Sequence, residues 1–327
     1  MFQKFNIIAF ADSVSILGRF FMDKVIVIAG PTASGKTSLG VELAKRINGE
    51  VVSCDSMQIY KDMSIGTAKP TVEEMDGVPH YLIDFVSPDE RYSVADFKRD
   101  AEEKIEFILS RGKVPILVGG TGLYIDTLVY GIEYPEVELD QEYRDELMRI
   151  ADSDEGLAGL YERAKEIDSE AALKVSPNDK KRIVRILELY HSTGKTKTEL
   201  ERISRNNGVK YDYRVFAINM DRQKLYDRIN LRVDMMIDQG LIDEVKAVVD
   251  KYDHFPTAMQ GLGYKEVVEY LDGVFTKEEM IEKIKQETRR YAKRQLTWFR
   301  KNKEIVWIDG LDEREKNINI ILDNIKN

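Results

Sequence analysis

"VIVIAGPTASGKTSLG", residues 25–40, changes character twice. An apolar, β-branched run ends at Ala29, a glycine-bounded loop follows, and a helical pattern begins near Ser38. The loop Gly30-Pro-Thr32-Ala33-Ser34-Gly35-Lys36-Thr37 satisfies G-x-x-x-x-G-K-[ST] in full, in the strand–loop–helix order which that motif requires. Its glycines let the backbone curl until successive N–H groups face one anion. Lys36 adds a point charge, and Thr37 offers a hydroxyl to Mg²⁺. The stretch predicts a diphosphate or triphosphate site, and leaves open whether the protein cuts between the phosphates or uses them as a handle.

Outward from this loop, residues 50–54, 78–83, 114–118, 214–219 and 304–308 are further short apolar runs, with helical patterns such as Ser38–Ile47 and Val94–Ser110 between most of them. Strands alternating with helices predict an α/β fold: a P-loop-containing, mostly parallel sheet with helices on both faces. Between 134 and 211 the strand signal vanishes. Helical patterns at Gln141–Ile150, Gly156–Ile167 and after Ser176-Pro177-Asn178, with Asn178 as cap, predict an all-helical insertion. The expected organisation is an N-terminal extension (1–21), an α/β core (22–133 and 212–327) and the insertion (134–211). Asp221 is expected to cap one long helix, Gln223–Tyr252.

Hydrophobic residues make up 43% of the 327, enough for a substantial core. One cysteine, Cys54, rules out a disulfide framework or a cysteine-built zinc site, and the three histidines have no metal spacing. No long uncharged apolar run or secretory signal stands out: Asp12 interrupts the N-terminal apolar patch, and Met22 is an alternative start. A cytoplasmic monomer without membrane contact is expected. The net charge of −9 is unevenly spread. From Lys283 to Lys303 nine basic residues face one acid, Glu287, whereas from Glu133 to Glu170 fourteen acids face four bases. Such a basic stripe suits a polyanion whatever the total charge.

Ligands of open parallel sheets bind outside the carboxyl ends of the strands. The run 50–54 is followed by Asp55-Ser56-Met57-Gln58, and 114–118 by "GGTGLY" with Thr121, so both face the same crevice as the first glycine loop. A kinase would often place a magnesium-organising acid where Thr121 stands. Asp84, after the run 78–83, is a candidate metal-sphere acid or a turn residue, and His80 within that run reads as a satisfied buried imidazole. On position alone Asp55 is either a turn carboxylate or a general base.

"GPTASGKTSL", "SCDSMQIY", "GTAKP", "GGTGLY", "KRIVRILE", "GLGYKE" and "YAKRQLTWFR", in that order from about Lys24 to Asp309, closely resemble the tRNA dimethylallyltransferase family. The resemblance implies transfer of a dimethylallyl group from dimethylallyl diphosphate to N6 of the adenosine 3′ of the anticodon, with Mg²⁺ and release of pyrophosphate. It implies Asp55 as general base, Thr121 beside the diphosphate and the reacting amine, and Ser56, Met57 and Gln58 against the target nucleotide. It also implies an arginine of the helix after 214–219 on the diphosphate: Arg232, with Arg228 four residues before it. From the residues alone, these two arginines are equally a solvated pair facing Asp227 or Asp234.

A base inside an anticodon loop must be turned out to be alkylated, and RNA contacts must offset that cost. Candidates are Arg144, then Lys181, Arg182 and Arg185 of the insertion, then Gly263, Tyr264 and Lys265, whose Met259-Gln260 lead-in departs from forms with an arginine there. Arg289, Arg290, Lys293 and Arg294 flank an expected inward stripe of Ile284, Thr288, Tyr291, Gln295 and Trp298. Competing readings are a small-molecule P-loop kinase, a nucleotide-sensing RNA-binding switch, and an adenylate isopentenyltransferase acting on free AMP. The absence of a Cys/His finger points to the bacterial type.

Overall fold

The computed structural model describes residues 22–133, 140–204 and 208–326; the expected extension at 1–21 lies outside the described residues. Six strands form one sheet: β1 (Lys24–Ala29), β2 (Gly49–Ser53), β3 (His80–Tyr81), β4 (Val114–Gly119), β5 (Asp212–Asn219) and β6 (Val306–Asp309). Their order is β3-β2-β4-β1-β5-β6, and every pairing is parallel. Consecutive apolar residues in β1 and β4 are buried, as they must be when both sheet faces are covered. Around them Ile26, Ile28, Leu43, Ile116, Phe216 and Ile318 form a core.

Of the helices, α1 (Lys36–Ile47), α2 (Val72–Met75), α3 (Val94–Ser110) and α4 (Gly122–Val129) precede the insertion. Helix α3 has the expected bounds because Ser93 and Asp96 close a capping box at its start. The chain divides into two compact units, one from 1–128 with 210–327 and the other from 129–209. The second contains no strand among its described residues and consists of α5 (Gln141–Ile150), α6 (Asp154–Ile167), α7 (Ser169–Ala172), α8 (Lys180–Thr193) and α9 (Lys197–Ser204). Leu147, Leu160, Ala164, Ile183 and Leu187 form its own apolar centre. Helix α8 is capped by Asp179, whose carboxylate accepts from the Arg182 N–H, and not by Asn178.

After β5 come α10 (Arg222–Asp238), α11 (Leu241–Lys251), α12 (Tyr264–Leu271), α13 (Lys277–Phe299) and α14 (Arg314–Lys326). Asp221 caps α10 as expected, but the single helix read over 223–252 is two. Gly240 at φ 96° takes the left-handed conformation that ends one helix and starts the next. The run read as a strand over 78–83 pairs only at His80 and Tyr81, since Leu82 and Asp84 turn to positive φ. On α13 the fully buried positions are Met280, Ile284, Ala292, Gln295 and Phe299, while Thr288, Tyr291 and Trp298 are only partly covered.

Candidate active site

Strands β2, β4 and β1 are neighbours, so the loops leaving their carboxyl ends converge. The loop after β1 enters α1 through Gly35 at φ 88°, which aims the first helical N–H groups at one point. The loop after β2 starts with Asp55, whose Oδ1 accepts from the N–H groups of Met57 (2.9 Å) and Gln58 (3.4 Å). It is therefore a turn residue, and Oδ2 has no hydrogen-bond partner among the described residues. The loop after β4 places Thr121 so that Oγ1 accepts from the Ser56 N–H (3.0 Å) and donates to Ser56 Oγ (3.3 Å).

A chamber of about 700 Å³ opens between α10 and the loops after β1 and β2; Thr121 does not line it. Thr32, Ala33, Gly35, Lys36 and Thr37 line one side, Asp55 and Gln58 the floor, the 64–71 segment and Glu74 a second side, and Arg228, Leu231, Arg232, Met235 and Met236 a third. Burial pushes the Lys36 ammonium down to about 8; the Asp55 carboxylate opposes that shift and Arg232 adds to it. Arg232 too is held below the ordinary guanidinium range, chiefly by burial. The chamber thus gathers buried positive charge that suits an anion.

Gln58 is absorbed in the walls: its Nε2 donates to the carbonyls of Thr67 (3.3 Å) and Ala68 (3.0 Å), and its Oε1 accepts from Ser53 Oγ (3.3 Å). Asp84 does not join the site. Its side chain is 55% exposed and pairs with Lys69 Nζ, which lies close by because the Gln58 carbonyl accepts the Asp84 N–H and folds that loop back. His80 is satisfied at one nitrogen only: Nδ1–H donates to the Val78 carbonyl (2.8 Å), leaving Nε2 buried and without a partner. That ring helps line a cavity of about 20 Å³ with Lys36, Thr37, Ser53, Asp55 and Gln58.

The family model described as IPP transferase matches residues 58–302. A tRNA dimethylallyltransferase of Acetivibrio thermocellus is 51% identical over 93% of this chain and 97% of its own. The chain belongs to the IPP transferase family. A second relative, the tRNA dimethylallyltransferase of Halothermothrix orenii, is 50% identical over 87% of each chain. Among solved structures, the tRNA isopentenylpyrophosphate transferase of Bacillus halodurans superposes with a TM-score of 0.70 at 44% identity, covering 93% of this chain and 96% of that one. A eukaryotic dimethylallyltransferase acting on tRNA gives 0.75 at 32% identity, over 93% and 80%.

In this IPP transferase chain the basic residues fall into distinct states. Lys293 and Arg294 of α13 are exposed, and Arg290 is exposed beside Glu287 (2.5 Å). Arg289 is drawn inward, donating to Asn230 Oδ1 (2.6 Å). In the insertion, Lys181 and Arg182 are exposed, the latter beside Asp179 (3.4 Å). Arg144 instead grips both carboxylate oxygens of the buried Glu188 (2.8 and 2.7 Å), and Arg185 approaches the same carboxylate (3.5 Å). These two arginines neutralise a charge that the unit cannot leave buried alone.

Tyr264, expected at the RNA, is fully buried, its hydroxyl donating to Glu244 (2.6 Å). Gly263, also buried, starts α12, so of that trio only Lys265 is exposed. Met57, expected at the target nucleotide, packs partly buried against the core that contains Tyr264.

Sequence reasoning missed several site members. Leu231, Met235 and Met236 are an apolar wall inside the cationic chamber. Gln295, expected on a packing stripe, bonds both glycine loops. A polar amide on an inward helix face was the available signal.

Proposed function

We propose that this IPP transferase alkylates tRNA: it transfers a dimethylallyl group from dimethylallyl diphosphate to N6 of the adenosine immediately 3′ of the anticodon and releases diphosphate. One observation carries the reading. A carboxylate with a free oxygen, Asp55, shares a chamber with a P-loop, two arginines and an apolar wall. The loop after β4 offers Thr121 where a kinase often carries its magnesium acid.

Adenine N6 is a weak nucleophile and gains positive charge as its bond to C1 of the allyl group forms. Asp55 takes the N6 proton while the C1–O bond to the diphosphate breaks. Lys36, Arg232 and the loop N–H groups stabilise the charge collecting on the leaving group. Thr121 holds Ser56 and the acceptor side of the chamber in register. Leu231, Met235 and Met236 shelter the allyl carbons from water.

The donors present fit Mg²⁺. Among the described residues no three His, Cys, Asp or Glu gather to hold a metal. A hydroxyl from Thr37 beside phosphate oxygens and water is the sparse set which that ion accepts. When bound, Mg²⁺ would neutralise diphosphate charge. Asp84 is not a member of this set.

Incubation with dimethylallyl diphosphate and unmodified tRNA should yield N6-alkylated adenosine. Asp55→Ala should lower the single-turnover rate by about 10²–10⁴ with little change in tRNA affinity. Label passing from the terminal phosphate of ATP to an acceptor would overturn the assignment in favour of a kinase.

A further inference from the structure

We infer that Gln295 on α13 is a positioning residue that sets the spacing between the diphosphate cradle and the loop bearing Thr121. Gln295 is 5% exposed and both ends of its amide are used across the fold. Oε1 accepts from the Thr32 N–H (2.9 Å), and Nε2 donates to the Gly120 carbonyl (2.9 Å). A Cβ on Gly120 would lie 2.2 Å from that Nε2, so residue 120 must lack a side chain for the bridge to close. The next residue, Thr121, holds Ser56, beside Asp55. The chain of contacts therefore runs from the P-loop, through one amide, to the loop that holds the neighbour of the proposed base.

A core amide chosen only for packing would need no such geometry, because its polar ends could turn to water or to one neighbour. Here a single side chain satisfies two loops just beyond the point where the pairing of β1 with β4 ends, at Ala29 and Gly119. Ala33, Leu225, Ile229 and Ala292 form a small apolar cluster, with Leu296 packed against it, that anchors α13 near the P-loop and fixes where Gln295 stands. Group transfer is sensitive to this spacing, since misplacement by about 1 Å can cost on the order of 10²-fold in rate. Gln295 thus acts through others, the cradle and the second loop.

The inference rests on the prenyl-transfer reading in taking diphosphate as the ligand of the first loop. Its test uses the full chain with inorganic diphosphate and Mg²⁺ as probe, measured by titration calorimetry, beside tRNA binding and the single-turnover rate. Gln295→Met keeps the shape and removes both hydrogen bonds. It should weaken diphosphate binding by about tenfold, the size expected for lost buried hydrogen bonds, and slow turnover as well. Gly120→Ala, whose Cβ would displace Nε2, should act in the same direction, and neither variant should change tRNA affinity by more than about twofold, because the exposed cations are untouched.

Unchanged diphosphate affinity and rate in Gln295→Met would overturn the proposal. So would proportionate loss of diphosphate and tRNA binding in both variants, which would make Gln295 a mere support of the fold. If Gln295→Met does not fold, Gly120→Ala decides, and a parental rate there sinks the idea. A parent protein that binds diphosphate but makes no alkylated adenosine would defeat the proposed function instead, leaving the positioning role to be read from diphosphate binding.

Discussion

Lys36 shows how a residue's meaning changes once its surroundings are known. As a motif position it is a cation, but in the chamber burial pulls it down to about 8, with Arg232 adding to the shift. An arriving diphosphate favours the charged form, so binding takes up a proton whenever the free enzyme is partly deprotonated. Diphosphate affinity should thus be level below pH 7 and decline as pH rises through 8, as titrations at several pH values would show. Asp84 is the opposite case, a carboxylate in the right region with the wrong partner. Because it pairs with Lys69 at the surface, Asp84→Asn should leave Mg²⁺-dependent turnover within about twofold, the effect of an exposed ion pair being small.

At the scale of elements, α11 and α12 act on the chamber from behind. Glu244 of α11 accepts from three successive N–H groups, those of Ser64 (2.8 Å), Ile65 (2.7 Å) and Gly66 (3.0 Å), and from the Tyr264 hydroxyl at the start of α12. Its carboxylate fills an anion-binding turn that would otherwise leave those donors unmatched. The segment it holds, 64–71, is a chamber wall, which joins "GTAKP" and "GLGYKE" in one structural purpose. Glu244→Ala should cost about 1–3 kcal/mol in denaturant unfolding and raise the KM for dimethylallyl diphosphate more than it lowers kcat. Helix α13 divides its work by face, Gln295 and Phe299 inward, Lys293 and Arg294 outward. Replacing Arg290, Lys293 and Arg294 by Gln should reduce the slope of log affinity for tRNA against log salt by about two. Arg289 is left out because Asn230 already holds it.

At the scale of the whole molecule, the order of strands turns scattered loops into one site. Most of the sheet was legible before folding, since β1, β4 and β5 are β-branched runs bounded by turn residues. So was the convergence of Asp55, Thr121 and the first glycine loop, because in a parallel sheet all strand ends point one way. Less legible were places where one residue redirects the chain, such as Gly240 between α10 and α11 or Leu82 after β3. Among the described residues no helix is long and apolar enough to cross a membrane.

The sequence by itself determined what contiguous residues can encode: a glycine loop of phosphate-binding pattern, the alternation of strand and helix, and a basic stripe on one C-terminal helix. Backbone conformation and local N–H geometry follow from neighbours in the chain, so those features need no distant partner. Only the tertiary structure decided that Asp84 is spent on Lys69, that Tyr264 points into the core, and that Gln295 reaches Thr32 from 263 positions away. Those outcomes turn on which surfaces meet once the apolar faces are buried, and no local pattern records that meeting.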